Sequence, residues 1–431
     1  MLRCALRAVP SLCLAGGLAA LSAELAPVHA QFVEPDVSVV YTLHAEAAGN
    51  QFGFVGAVIG DLNGDGASEI LIGAPRNAAG GNLAGRAYVY SGRDGALLNT
   101  ITGGPFQRLG FGVAGVGDIN GDGVPDYAVS GPGTPGGPVP QIGRLLVLSG
   151  SDHTVIFDIR RGGHLSFFGY DINAAGDVNG DGTPDIIAGA PFSSVTGQFT
   201  GRVHLISGRD GSALWTQDGQ AIQTQLGSAV SGVGDLDGDG LVDVAVGGRG
   251  SGPKNAGEAF VLRGTTGAYL RTLKPAATAV DFGNFFVHNA GDVDRDGVLD
   301  ILVADFADDR LGPNTGRAYV FSGANQDKLR VFNGENAGDG FGIGRACGDL
   351  NGDGAADFIL AGYTSSAGAP TGGKVYLYSG KTGMTLRTMT GNVSGATLGF
   401  DALPVGDING DGAIDFLITG SDIAHVVAGK P

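Results

Sequence analysis

The residues that could do chemistry come in repeats. The nonapeptide Asp-x-(Asn/Asp)-x-Asp-Gly-x-x-(Asp/Glu) occurs seven times, beginning at Asp61, Asp118, Asp177, Asp235, Asp292, Asp349 and Asp407. Oxygen-bearing side chains at positions 1, 3 and 5 of a tight loop can aim at a single point. A backbone carbonyl at position 7 and a carboxylate at position 9 can complete the shell, and glycine at position 6 permits a turn that a Cβ would obstruct. That donor set suits calcium, a hard cation taking six to eight oxygens at roughly 2.3–2.6 Å. Magnesium demands tighter octahedral geometry and usually keeps its waters.

The expected ligands are Asp61, Asn63, Asp65, the carbonyl of Ala67, and Glu69 in the first copy. The second and third offer Asp118, Asn120, Asp122, Val124 and Asp126, then Asp177, Asn179, Asp181, Thr183 and Asp185. The fourth and fifth offer Asp235, Asp237, Asp239, Leu241 and Asp243, then Asp292, Asp294, Asp296, Val298 and Asp300. The last two offer Asp349, Asn351, Asp353, Ala355 and Asp357, then Asp407, Asn409, Asp411, Ala413 and Asp415. An EF-hand loop opens the same way but needs a bidentate Glu at position twelve. Here position twelve is Ile72, Val129, Ala188, Val246, Val303, Leu360 and Ile418, all apolar, so that reading fails. Carboxylates packed this closely repel one another unless a cation sits among them. Up to seven Ca²⁺, one per copy, are expected.

The loops recur at intervals of 57, 59, 58, 57, 57 and 58 residues, and so even a period means one structural unit per copy. Each unit reads as four short strands. In the first copy an apolar run over 52–60 enters the acidic loop and a second, 69–75, leaves it. A glycine-rich connection then leads to a hairpin over 86–101, which recurs at 203–217 and 375–389. No stretch sustains a 3.6-residue apolar period. Seven such sheets predict an all-β fold, a seven-bladed β-propeller over 31–431. The last copy lacks its fourth strand, while residues 37–43 (V-S-V-V-Y-T-L) form a strand with no copy of their own. Pairing the two closes the ring and removes exposed edges, which predicts a monomer.

These features resemble the FG-GAP repeats of the integrin α-subunit propeller. Both dipeptide marks occur, as Phe52-Gly53 with Gly73-Ala74-Pro75 and as Phe168-Gly169 with Gly189-Ala190-Pro191. Leu109-Gly110 with Gly131-Pro132, Phe282-Gly283, Phe341-Gly342, Leu226-Gly227 and Leu398-Gly399 are weaker versions. The resemblance implies calcium loops on the lower face and ligand contact on the upper face, built from second-to-third strand loops and connections between blades. In that family only some blades bind calcium, whereas here all seven loops are complete. The sequence shows no leg domains, transmembrane helix or cytoplasmic tail, so membership of an integrin heterodimer is not implied.

Residues 1–30 read as a cleaved secretory signal: Arg3 and Arg7, an apolar stretch over 12–21, and Val28-His29-Ala30 before Gln31. Secretion is therefore expected, to the periplasm or cell surface if the source is bacterial. Without the signal 24 basic and 42 acidic residues remain, and the seven loops hold 23 of the acids. Seven calcium ions would bring a net charge of −18 to about −4. Such acidity excludes nucleic acid as a partner, since phosphates need a basic surface. No later segment is long and apolar enough to span a membrane. Cys347 is then the sole thiol, read as buried and inert.

No catalytic constellation is visible. His44, His153, His164, His204, His288 and His425 are scattered, and no Gly-x-Ser-x-Gly elbow occurs. His204 and His425 share third-strand positions and read as packing residues. The expected function is an extracellular binding or adhesion module for a protein or glycan. Alternatives are a calcium-dependent, polysaccharide lyase-like enzyme or a purely structural protein. A basic residue beside paired acids and aromatics in the channel mouth would favour the enzyme. The upper loops, over 76–85, 131–143, 192–201, 247–257, 305–316, 362–373 and 420–422, vary most. Among them 305–316, with Asp305, Asp308, Asp309 and Arg310, is the first candidate for contact.

Overall fold

The computed structural model describes residues 31–134, 142–163 and 165–429. The expected export signal, His164 and much of the 131–143 loop lie outside them. Strand β1 spans Val39–His44. It is followed by β2 (Gly56–Val58), β3 (Ile70–Ala74), β4 (Arg86–Tyr90) and β5 (Leu97–Thr102). The last four pair antiparallel in sequence order, and among the described residues the strands form seven four-stranded sheets. Innermost strands of successive sheets touch, and the last touches the first, so the sheets stand around a closed axis. The protein is a seven-bladed β-propeller.

Burial explains why the sequence shows runs rather than alternation. The two middle strands of a blade are covered on both faces by the neighbouring blades, as in I-L-I-G-A of β3, buried throughout. Seven apolar cores lie between adjacent blades. In one, Leu71, Val89 and Ile101 of the first blade meet Val113, Tyr127 and Val129 of the second. The outer strand β5 faces water and alternates. Innermost strands crowd the axis and are built from small residues, as in Gly112–Gly117 (G-V-A-G-V-G).

The two dipeptide marks meet across blades. A Cβ on Gly73 would lie 2.0 Å from the carbonyl oxygen of Gly110, and Gly110 itself has φ +82°. Only paired glycines allow that backbone approach. Gly189 and Gly247 face the carbonyls of Gly227 and Gly283 in the same way. The phenylalanine of the mark packs within its own blade: Phe52 sets its edge on Tyr88 with ring centroids 5.4 Å apart. Because Phe52-Gly53 turns there, with φ +85° at Gly53, the expected first strand over 52–60 shortens to β2.

Ring closure follows the expected pairing. β1 lies antiparallel to Ile423–Val427 and completes the last sheet. The chain before it adds a second fastening. Val33 N–H donates to the Thr390 carbonyl at 2.8 Å, and the Glu34 carboxylate accepts both the Thr388 and Thr390 hydroxyls. Phe32 and Val37 are buried in the core between the sixth and seventh blades. Deleting residues 31–44 should therefore expose the Ile423–Val427 edge and open that core. Expected are aggregation on gel filtration and a broadened, earlier melt; a monomer melting like the parent would contradict this account of closure.

Candidate functional site

Each acidic loop joins the first two strands of its blade and is shaped by its own carboxylates. Asp61 accepts the N–H of Gly64 at 2.7 Å and of Gly66 at 2.9 Å, and Asp65 accepts that of Ala67 at 2.8 Å. The pattern recurs at Asp118, Asp177, Asp235, Asp349 and Asp407. At Asp292 the donors are Asp296 and Gly297. In three loops acid oxygens gather within 4.8 Å of one another: Asp61, Asp65 and Glu69; Asp235, Asp237 and Asp239; Asp292, Asp294 and Asp300. Oxygens sharing an ion at 2.3–2.6 Å lie at most about 5 Å apart, so the spacing fits a cation. In the second, third and seventh loops the position-3 amide instead donates to the position-5 carboxylate. Arg263 reaches Asp237 at 2.6 Å and Arg93 reaches Asp65 at 3.4 Å.

Position 9 has a second task that the sequence reading missed. Asp126 is fully buried and accepts Ile119 N–H at 2.8 Å with one oxygen and Gly150 N–H at 2.9 Å with the other. The first donor lies in the acidic loop and the second in the turn between the outer two strands. Gly208, Gly264, Gly323, Gly380 and Gly429 serve Asp185, Asp243, Asp300, Asp357 and Asp415 identically. These glycines also leave room for a carbonyl, since a Cβ on Gly150 would sit 1.9 Å from the Pro125 oxygen. The signal was present in the sequence as a glycine following the third strand of each copy. Burial, with the nearby Asp181 and Asp177 carboxylates adding to it, pushes Asp185 up to about 6. Burial also raises Asp300 to about 6, with Asp294 and Asp296 contributing.

The opposite end of the blades corrects one expectation. Asp305 and Asp308 are not available for contact, for both are fully buried. Asp305 accepts the N–H groups of Val280 and Asp281 at 2.9 and 3.1 Å. Asp308 accepts the Thr278 hydroxyl at 2.9 Å and lies 3.7 Å from Arg317. They fasten the loop to the connection entering that blade, and of the four candidates only Asp309 and Arg310 face solvent.

Around the axis, Phe54, Phe111, Tyr170, Phe285 and Phe400 pack ring to ring, with centroids 4.8 Å apart for Phe54–Phe111 and for Tyr170–Phe285. They line a cavity of about 510 Å³. Four of them immediately follow the Phe-Gly or Leu-Gly mark, a signal the sequence reading passed over. One position farther along the innermost strands, Asp171 and Asp401 accept N–H groups of the next blade, from Val230 at 2.8 Å and Gly56 at 3.0 Å. Arg345 lies 3.1 Å from Asp401 and donates to His288 Nε2 at 3.3 Å. Burial holds His288 well below the usual histidine range, so its ring is neutral and can accept. Burial raises Asp171 to about 7. His204 and His425 are buried as expected, and burial lowers each to about 4. Cys347 is buried too.

Two segments, 52–90 and 168–206, match the FG-GAP repeat model, and 349–418 matches the FG-GAP-like repeat model. The chain carries FG-GAP repeats. Among curated relatives it is 32% identical to integrin alpha-6 of Gallus gallus over 37% of this chain and 15% of that one. It is 31% identical to integrin alpha-V of Gallus gallus over 47% and 20%, and 28% identical to integrin alpha-5 of Xenopus laevis over 50% and 21%. The aligned part thus spans about a fifth or less of these relatives' length. Among solved structures, the Dos1 propeller aligns over 84% of this chain and 75% of that one, with a TM-score of 0.49 and 12% identity. Among the described residues no helix is long and apolar enough to cross a membrane.

The geometry separates the buried position-9 carboxylate from the exposed acids of its loop, and two measurements follow. In excess chelator Asp294→Ala should melt within about 0.5 kcal/mol of the parent, because the residue is exposed. Asp300→Ala should lose roughly 2–5 kcal/mol even then, because it leaves the N–H groups of Val293 and Gly323 buried and unpaired. Equal losses would refute the clamp. On the upper side, burial and the Asp308 and Asp281 carboxylates raise Asp305 from 3.8 to about 7. The folded protein then holds a proton that the unfolded chain releases, so this contribution to stability is complete below pH 3.8 and lost as pH rises through about 7. Asp305→Asn should therefore show a shallower fall in melting temperature between pH 5 and 8 than the parent; an unchanged slope would exclude Asp305 as its source.

Proposed function

We propose that the protein is an exported, calcium-loaded propeller that binds a protein or glycan outside the cell through its upper-face loops. One observation carries the reading: seven acidic loops in register, each offering four side-chain oxygen donors, at the end of the blades opposite the most variable loops. Calcium there does structural work. It offsets the mutual repulsion of three or four carboxylates, one of which is already the buried clamp of its blade. The position-1, -3 and -5 side chains, the position-7 carbonyl and the position-9 carboxylate would hold it. The similarity to integrin α chains supports an adhesion-type role.

A second reading draws on the axial cavity, where Arg345, Asp171 and Asp401 lie beside aromatic rings. That grouping is the one expected of a glycan-active enzyme. Each carboxylate, however, is engaged by a backbone N–H of the next blade, which gives both a structural use.

Metal analysis of the desalted protein should return close to seven calcium ions per chain. Chelation should lower the melting temperature by more than roughly ten degrees, since each site filled at a hundredfold excess over Kd contributes about 2.7 kcal/mol. An unchanged melt in chelator would sink the calcium reading. A glycan and protein array probed with the calcium-loaded protein should give ligands whose binding falls on changing upper loops. Cleavage of an arrayed polysaccharide, abolished by Asp171→Asn, would replace binding with catalysis.

A further inference from the structure

Two arginines lie beside the axis of a protein that is otherwise strongly acidic. Arg76 leaves the second strand of the first blade, and Arg108 lies in the connection to the second blade, two residues before Gly110. The contact of Gly110 with the backbone at Ala74, 3.1 Å from a Cβ position, brings these two segments together. Arg108 places its guanidinium over the Phe111 ring, 4.9 Å from the centroid. Neither arginine meets a carboxylate within 4.0 Å among the described residues, whereas Arg86, Arg144, Arg202, Arg249 and Arg317 all do. Arg108 is largely desolvated and feels the charge of Arg76, and both effects lower its pKa. The partly buried Arg108 guanidinium and the exposed Arg76 guanidinium on the adjoining segment both lack a carboxylate, and an anion reaching them would offset their repulsion.

Beside Arg76 runs a groove of about 280 Å³, lined also by Phe54, Tyr363 and Phe400; Phe54 in turn packs on Phe111, the ring that Arg108 covers. Hydroxyl- and amide-bearing side chains border it as well, from Gln51, Thr397 and Ser421. Asp422 also borders it, but its carboxylate is turned to the backbone N–H groups of Gly49 and Phe52. Ring faces suit the C–H surface of a pyranose, hydroxyls and amides suit its hydroxyl groups, and guanidiniums suit a carboxylate. An acidic peptide side chain would use the arginines but leave the ring faces and hydroxyls without a role.

We infer that Arg76 and Arg108, with the Phe54–Phe400–Tyr363 wall, bind a uronic acid residue of an acidic glycan. The inference rests on the recognition reading above and names its ligand class. Calcium-loaded protein should be titrated with a galacturonate trisaccharide, a glucuronate-containing tetrasaccharide, the methyl ester of the former, and an aspartate-rich peptide. At least one acidic sugar should bind, and Arg76→Ala and Arg108→Gln should each weaken it tenfold or more. Both variants should keep the parental melt, since Arg76 is exposed and glutamine retains much of the Arg108 stem. The methyl ester should lose affinity to a similar degree, and the peptide should not bind. Equal binding by the ester, full binding by either variant, preference for the peptide, or no binding by either acidic sugar would overturn the inference. Array ligands untouched by these variants would leave the recognition reading standing without it, whereas no ligand at all would remove both.

Discussion

A buried carboxylate at the ninth position of each acidic loop holds a blade together. Taken out of water, a carboxylate is costly unless both oxygens find donors. Here one oxygen takes an N–H from the acidic loop and the other takes an N–H from the outer hairpin turn, as at Asp243 with Leu236 and Gly264. The residue thereby links the inner turn of the blade to the outer one, across all four strands. Because burial makes the ionised form unfavourable, any cation bound by the same loop would relieve the blade of that cost. Metal binding and blade folding would then be one process.

Contact between blades obeys a different constraint. Sheets covered on both faces have no polar surface with which to register against their neighbours, so register must come from shape. The Gly73–Gly110 approach supplies it at the upper end, where any side chain would force the blades apart. Asp171 and Asp401 add a polar version of the same link by reaching for N–H groups of the next innermost strand. With the lower end given to acidic loops and the joints made by backbone, the second-to-third strand loops are left free to differ.

Periodic features were legible in the sequence for that reason. Blade number, strand order, loop position and the closing strand follow from spacing and apolar runs, which every copy repeats. What the sequence hid is what occurs once, or between copies. Asp305 and Asp308 read as a charged surface loop because nothing local reveals that Val280, Asp281 and Thr278 fold beneath them. Arg345 sits in an otherwise unremarked apolar stretch, and its partners His288 and Asp401 are 57 and 56 residues away. The fastening of residues 32–34 onto the sixth blade escaped notice because it precedes the recognisable strand. The clamp glycines were visible but looked like ordinary turn residues until the carboxylate opposite each was located.

The distribution of charge follows from the same division of labour. Carboxylates concentrate where a cation could neutralise them, at the lower end of the blades. Several arginines are held in ion pairs, such as Arg144 with Asp158 at 2.8 Å and Arg202 with Asp218 at 2.7 Å, and their fields stay local. A guanidinium left without such a partner beside the axis keeps its charge free to hold an anion locally. Long-range attraction of a polyanion by this acidic protein would be weak until the lower loops were filled. Filling them would remove most of the opposing field without touching the upper face. Calcium would in that case set the strength of recognition at one end of the propeller by neutralising the other.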